Sequence, residues 1–213
     1  VYNNRYASRR LGEEIQRSKM QNRLLAVALI ELRADENIYL QDGGVGDLLL
    51  RQAAMRIREK LRPTDILAHR EGGTFTLIMP ETPERTALRL VRTIHENVAA
   101  KPIEVEGAIA NFTAITGMIE NNGGMYDSEH IMELAERALR TARRAGLNTI
   151  EFVRTKPSPF VMDETEIEFH SFNVTDEFKA VAGEDTDIPG LSMDTNDSPV
   201  VGSKTQPIFI DPD

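Results

Sequence analysis

The sequence contains no cysteine, which excludes disulfides and thiolate metal sites and points to a reducing, cytoplasmic compartment. Aromatic residues are scarce, at 6% of the chain. No apolar run approaches the length of a membrane span, and the N-terminus lacks the charged-then-apolar layout of a signal peptide, so no membrane insertion by this segment is expected. The longest apolar stretch, Leu24 to Ile30, is strand-sized. A basic stripe is missing too. Residues 155–213 hold 13 of the 34 acidic side chains beside 3 lysines, a charge of −10 against −9 for the whole chain, which leaves residues 1–154 at +1. A near-neutral domain of this kind gives nucleic-acid binding no support.

What is present is a hydrophobic fraction of 40%, enough for a substantial core, and a clean alternation of helical and strand patterns over residues 1–154. Ala7 to Met20 reads as a polar helix with a weak stripe at Leu11 and Ile15. Leu24 to Leu32 is too continuously apolar for a half-exposed strand and predicts a buried one. The Gly-rich turn Asp42 to Asp47 opens a helix from about Leu48 to Leu61, with Leu49, Ala53, Ile57 and Leu61 at helical spacing. Pro63 stops it. Ile66 to Arg70 and Thr74 to Met79 then predict two strands joined by a Gly-Gly hairpin.

A third helix is expected from Pro83 to Val98, followed by strands at Ile103 to Val105 and Asn111 to Ile119. Ser128 is the expected N-cap of the last helix and Gly146 its C-cap. Ile150 to Val153 closes the sheet. The expected fold class is therefore α/β (α+β), a mixed central sheet with a central hairpin and flanking helices. Beyond Arg154, Lys156-Pro157-Ser158-Pro159 reads as a linker, and residues 155–213 as an acidic extended tail. Its apolar pieces are Ile167 to Phe172, Phe178, and Ile208 to Ile210.

Several segments, in order and at nearly the right spacing, resemble the motifs of the GGDEF family of diguanylate cyclases. Asn4-Arg5-Tyr6 resembles its "NRR-Y" opening, and the preceding Asp-x-Leu-Thr is absent, as if the chain began just inside the domain. Leu29 to Leu32 resembles the first metal-site strand, and Gly43 to Asp47 the "GHxxGD" helix start. Asp65 to Phe75 aligns without gaps on the segment that ends in GGDEF. Thr113 to Gly117 resembles "T-x-S-x-G", and Ala142 to Asn148 resembles "AKxxGRN".

The resemblance implies chemistry that these residues only partly supply. Joining two GTP molecules takes metal ions held by hard oxygen ligands on the first strand and at the hairpin turn. Glu31 suits the first position. The turn carboxylate falls on Gly73 and its neighbour on Thr74, while Glu71 stands where a glycine lets the backbone approach phosphates. The guanine-contacting Asn falls on Tyr39 in the stretch Asp35 to Leu40, although Asp47 is kept. The late phosphate-contacting pair becomes Arg143 and Leu147. The expectation is a chain that is not an enzyme, with no metal and no Mg²⁺ cofactor.

The family's product site is an Arg-x-x-Asp placed five residues before the turn. Arg62-Pro63-Thr64-Asp65 has that spacing. An Arg fork pairs bidentately with guanine O6 and N7 and stacks on the base face, while an Asp accepts from guanine N1–H and N2–H. The plainer reading is that Asp65 begins a strand and Arg62 caps a helix C-terminus. A second arginine from the helix after the hairpin usually joins the site; that place is Thr93 here, which leaves Arg89 and Arg92 as candidates.

The leading expectation is thus an inactive GGDEF domain acting as a cyclic di-GMP receptor. Its partners would be cyclic di-GMP and a protein partner or upstream domain of the same protein, with a ligand-mediated dimer as one output. The alternative is a protein-interaction or dimerisation module that binds no nucleotide. His69 reads as a packed strand-end residue, and His95, His130 and His170 lack metal spacing.

Overall fold

The computed structural model describes residues 1–35, 44–122, 126–156 and 166–174. The expected apolar pieces at Phe178 and Ile208 to Ile210 lie outside the described residues, as does Tyr39, the position where the resemblance expects a base-contacting Asn.

The chain runs β1 (Tyr2–Asn3), α1 (Asn4–Gln21), β2 (Leu24–Ala34), α2 (Val45–Arg58), β3 (Ile66–His69), β4 (Thr74–Pro80) and α3 (Glu84–Ala99). A small hairpin follows, β5 (Ile103–Val105) and β6 (Ala108–Ala110), then β7 (Phe112–Asn122), α4 (Ser128–Ala145), β8 (Thr149–Lys156) and β9 (Glu166–Asn173). The main sheet has seven strands in the order β1-β3-β4-β2-β7-β8-β9. Its pairings are mixed: β2 is antiparallel to both β4 and β7, whereas β7 and β8 are parallel.

The uninterrupted apolar run of β2 follows from its place at the centre of this sheet, with both faces covered. On one face Ala26, Ala28 and Ile30 pack with Leu77 and Met79 beneath α2 and α3. On the other, Leu25, Val27 and Leu29 pack with Ile78 beneath α1 and α4. The period-2 alternation of strands sends neighbours to opposite cores.

Three differences from the sequence reading have local causes. The N-cap of α4 is Asp127, whose carboxylate accepts from the His130 N–H at 2.9 Å, so Ser128 is the first helical residue. The strand β6 was not expected, because Glu106 and Gly107 turn the chain with positive φ in a segment too short to show alternation. The sheet also does not end at Val153. The expected start of the tail at 155 falls within β8, and β9 lies antiparallel along it from Glu166 to Asn173. Phe172 packs against the core there, and the compact unit extends from Val1 to Glu177. Only eight residues of alternating apolar character lie in an acidic background, so local composition hid the strand.

Candidate functional site

The central hairpin places the first group of candidate residues. β3 and β4 pair antiparallel, with His69 opposite Phe75, and the turn closes through the Thr74 N–H donating to the Glu71 carbonyl at 3.0 Å. Gly72 adopts φ +52°, a left-handed conformation that glycine enters without cost. His69 packs at the strand end, with Nε2 2.6 Å from the Gly72 carbonyl oxygen and its ring against Phe75.

Across the register from Thr74 lies Glu31 on β2. Its carboxylate is not free: Oε1 accepts from Arg33 Nε at 2.7 Å, and Oε2 accepts from Arg143 in the last turn of α4. These groups line an open depression of about 500 Å³ together with Asp35, Glu71 and Gly73. Asp35 is itself tied to the Asn111 N–H at 3.0 Å and to its Nδ2 at 2.6 Å. A divalent ion at Glu31 would have to displace two guanidinium groups and would find Gly73 and Thr74 at the turn. No group of three or more His, Asp or Glu that could hold a metal gathers among the described residues. The donor set does not fit a hard-oxygen metal cage.

The second group lies upstream. Arg62 to Asp65 is a β-turn closed by the Asp65 N–H donating to the Arg62 carbonyl at 3.0 Å, with Pro63 pre-set for the second position. The Asp65 side chain is fully enclosed and Arg62 is 45% exposed. The carboxylate accepts from the Arg62 backbone N–H at 2.9 Å, from Nη2 at 2.7 Å and from Nε at 3.2 Å. Nη2 also donates to Thr82 Oγ1 and to the Pro80 carbonyl. The hydrogen bond to Asp65 raises the Arg62 pKa against the opposing effect of burial. Arg62 does not cap α2, which ends at Arg58; its bonds run to the end of β4.

The structure therefore brings Arg62 and Asp65 together and adds Thr82, a buried residue that motif spacing did not mark. The expected additional arginines lie on α3. Arg89 is exposed on α3, and Arg92 on the same helix pairs with Glu96 at 3.1 Å. No helix among the described residues is long and apolar enough to cross a membrane.

Comparison with known proteins places this geometry. The family model for the diguanylate cyclase GGDEF domain matches residues 1–149. Diguanylate cyclase DgcP of Pseudomonas aeruginosa is 28% identical over 145 residues, which cover 68% of this chain and 22% of that protein. Response regulator PleD of Caulobacter vibrioides is 26% identical over 153 residues, covering 70% and 34%. This chain thus spans between 22% and 34% of the length of these two relatives.

Among solved structures, diguanylate cyclase SiaD of Pseudomonas aeruginosa, in complex with its activator SiaC, superposes with TM-score 0.63 at 25% identity, covering 70% of this chain and 58% of that one. The GGDEF domain of DgcB from Caulobacter crescentus, in complex with c-di-GMP, gives TM-score 0.63 at 18% identity, covering 70% and 88%, and shows the fold alone. These matches overturn the expectation that the chain is not an enzyme. The matched family is one of diguanylate cyclases, and relatives carry that name. The expectation rested on the hairpin turn and on the base- and phosphate-contacting positions, whereas the match runs through the four helices and strands β1 to β7.

Proposed function

This chain belongs to the GGDEF family, and from that premise we propose that it is a cyclic di-GMP receptor module that holds the dinucleotide at the Arg62–Asp65 turn. The supporting observation is the fixed, half-exposed guanidinium of Arg62. Asp65, Thr82 and Pro80 engage its Nε and Nη2, while Nη1 and the planar face remain available to a ligand. A guanidinium held in place loses less entropy on donating from Nη1 to a guanine acceptor, or on stacking against the base, than a free side chain does. Asp65, with its oxygens already engaged, acts by locking Arg62 rather than by accepting from the base. The proposal assigns no divalent ion to this turn.

Binding would be passed on through a protein partner, a neighbouring domain or a second copy. Cyclic di-GMP has two guanines, so one molecule can meet Arg62 of two chains and draw them into a dimer.

Calorimetric titration with cyclic di-GMP tests the proposal. The expected result is binding at roughly tens of micromolar or tighter, lost in Arg62→Ala and weakened in Asp65→Asn. No heat in that range, or binding indifferent to Arg62→Ala, rejects it. The full enclosure of Asp65 also suits a second reading, in which the turn is structural and the domain binds a protein partner without nucleotide. That reading requires a silent titration.

A further inference from the structure

The start of β2 lies beside the end of β4, since Leu25 is in register with Pro80. Arg23 therefore meets the dipeptide Pro80-Glu81. Its backbone is pinned by its N–H donating to the Ser18 carbonyl at 3.0 Å, just after the left-handed cap residue Asn22. Its guanidinium pairs with the Glu81 carboxylate. From the other side, Arg62 donates to the Pro80 carbonyl at 3.3 Å. The charge of Glu81 acts on Arg62 as well, among the causes that raise its pKa. Arg23 thus holds the Glu81 carboxylate, and Arg62 holds the carbonyl of the residue before it.

Glu81 sits at φ +52°. A left-handed conformation is disfavoured for a non-glycine residue, and the pair with Arg23 helps to hold it. Arg23 and Glu81 are both half-exposed, so a ligand can reach them. The neighbouring Arg17 is committed to Glu14 at 3.0 Å, while Arg23 faces the turn through Glu81.

We propose that Arg23 is the second arginine of the Arg62 site, and that Glu81 is a built-in carboxylate which occupies Arg23 until an anionic dinucleotide displaces it. This rests on the reading of Arg62 given above. Each phosphodiester of a cyclic dinucleotide carries one negative charge, which replaces Glu81 opposite Arg23 while a guanine takes Arg62.

The test is calorimetric titration of the full chain with cyclic di-GMP at fixed ionic strength, comparing wild type with Arg23→Ala, Arg23→Lys, Glu81→Gln and Arg62→Ala. Arg23→Ala is expected to weaken binding about tenfold or more, as loss of a charge-assisted contact does. Arg23→Lys loses less and guards against a folding defect in the alanine variant. Glu81→Gln is expected to tighten binding about two- to fivefold, the range for a half-exposed ion pair. Unchanged affinity in Arg23→Ala, or unchanged or weaker affinity in Glu81→Gln, overturns the proposal while a lost Arg62→Ala titration leaves the Arg62 site standing. A silent wild type, or an Arg62→Ala variant that binds normally, removes the site and this proposal together.

Discussion

A Cβ built on Gly117 would stand 2.1 Å from the backbone nitrogen of Leu139 and 2.6 Å from the Ala135 carbonyl oxygen. Strand β7 and helix α4 touch backbone to backbone at this point, and the contact sets how far α4 stands from the sheet. Since Arg143 reaches Glu31 from the same helix, the depression at the hairpin inherits that spacing.

Gly117→Ala should therefore force the helix away and destabilise by about 3 kcal/mol or more, at the upper end of overpacking costs. Chemical denaturation measures it. A loss below roughly 1 kcal/mol would mean that α4 moves off without penalty.

His95 supplies a pH dependence. It is fully buried on α3, with Nε2 2.8 Å from Thr116 Oγ1 and Nδ1 3.2 Å from Asn148 Oδ1. Burial pushes its pKa down to about 4, against a smaller upward effect of Asn148. The unfolded chain, with a pKa near 6.5, binds the proton first. The stabilisation is complete above about pH 6.5, declines as pH falls toward 4, and levels off below that. The shift corresponds to a loss on the order of 3 kcal/mol. Denaturation midpoints measured from pH 7 to 4 should fall for the wild type and flatten in His95→Gln, which keeps hydrogen-bonding groups and removes the titration.

The legible parts of this fold were those with long-range periodicity written into local sequence. The β2 run, the Leu49-Ala53-Ile57 stripe and the Gly-Gly hairpin each announced their element because burial on a regular lattice leaves a period. The RxxD spacing survived as a turn because Pro63 and Asp65 dictate local geometry. The rest depended on sheet order. Arg23 and Glu81 meet only because β2 lies beside β4, a pairing that no window of sequence contains. Arg33 and Arg143 converge on Glu31 for the same kind of reason. Local propensity also misassigned one cap, since Asp127 and Ser128 are both good N-caps and their order alone does not choose between them.

That choice is testable. The Asp127 carboxylate is held below its usual range, first by the His130 backbone N–H and then by the His130 ring. Its capping contribution is present above the unfolded carboxylate pKa and is lost as pH falls through the lower folded value. Asp127→Ala should lower the melting temperature at neutral pH, with the difference shrinking in acid, while Ser128→Ala should change it little. Equal effects of the two substitutions would return the cap to Ser128.

The last strand carries the boundary of the domain. β9 pairs with β8 from Glu166 to Asn173 and anchors through the Val174 N–H donating to the Asn148 carbonyl at 3.2 Å. Ser171 Oγ adds a bond to Glu151 on β8. Without it, β8 becomes a long unpaired edge, and Phe172 no longer covers the core beneath α2 and α3. A chain ending at Glu177 should melt within about 2 °C of the full sequence, whereas one ending at Lys156 should melt roughly 5 °C lower or more, since each kcal/mol moves a domain of this size by about 2–4 °C. The shorter chain should also aggregate sooner on heating, because its new edge offers a row of free backbone donors and acceptors. Equal melting temperatures for the two chains would show that β9 rests on the sheet without stabilising it, and would put the end of the stable domain at or before Lys156.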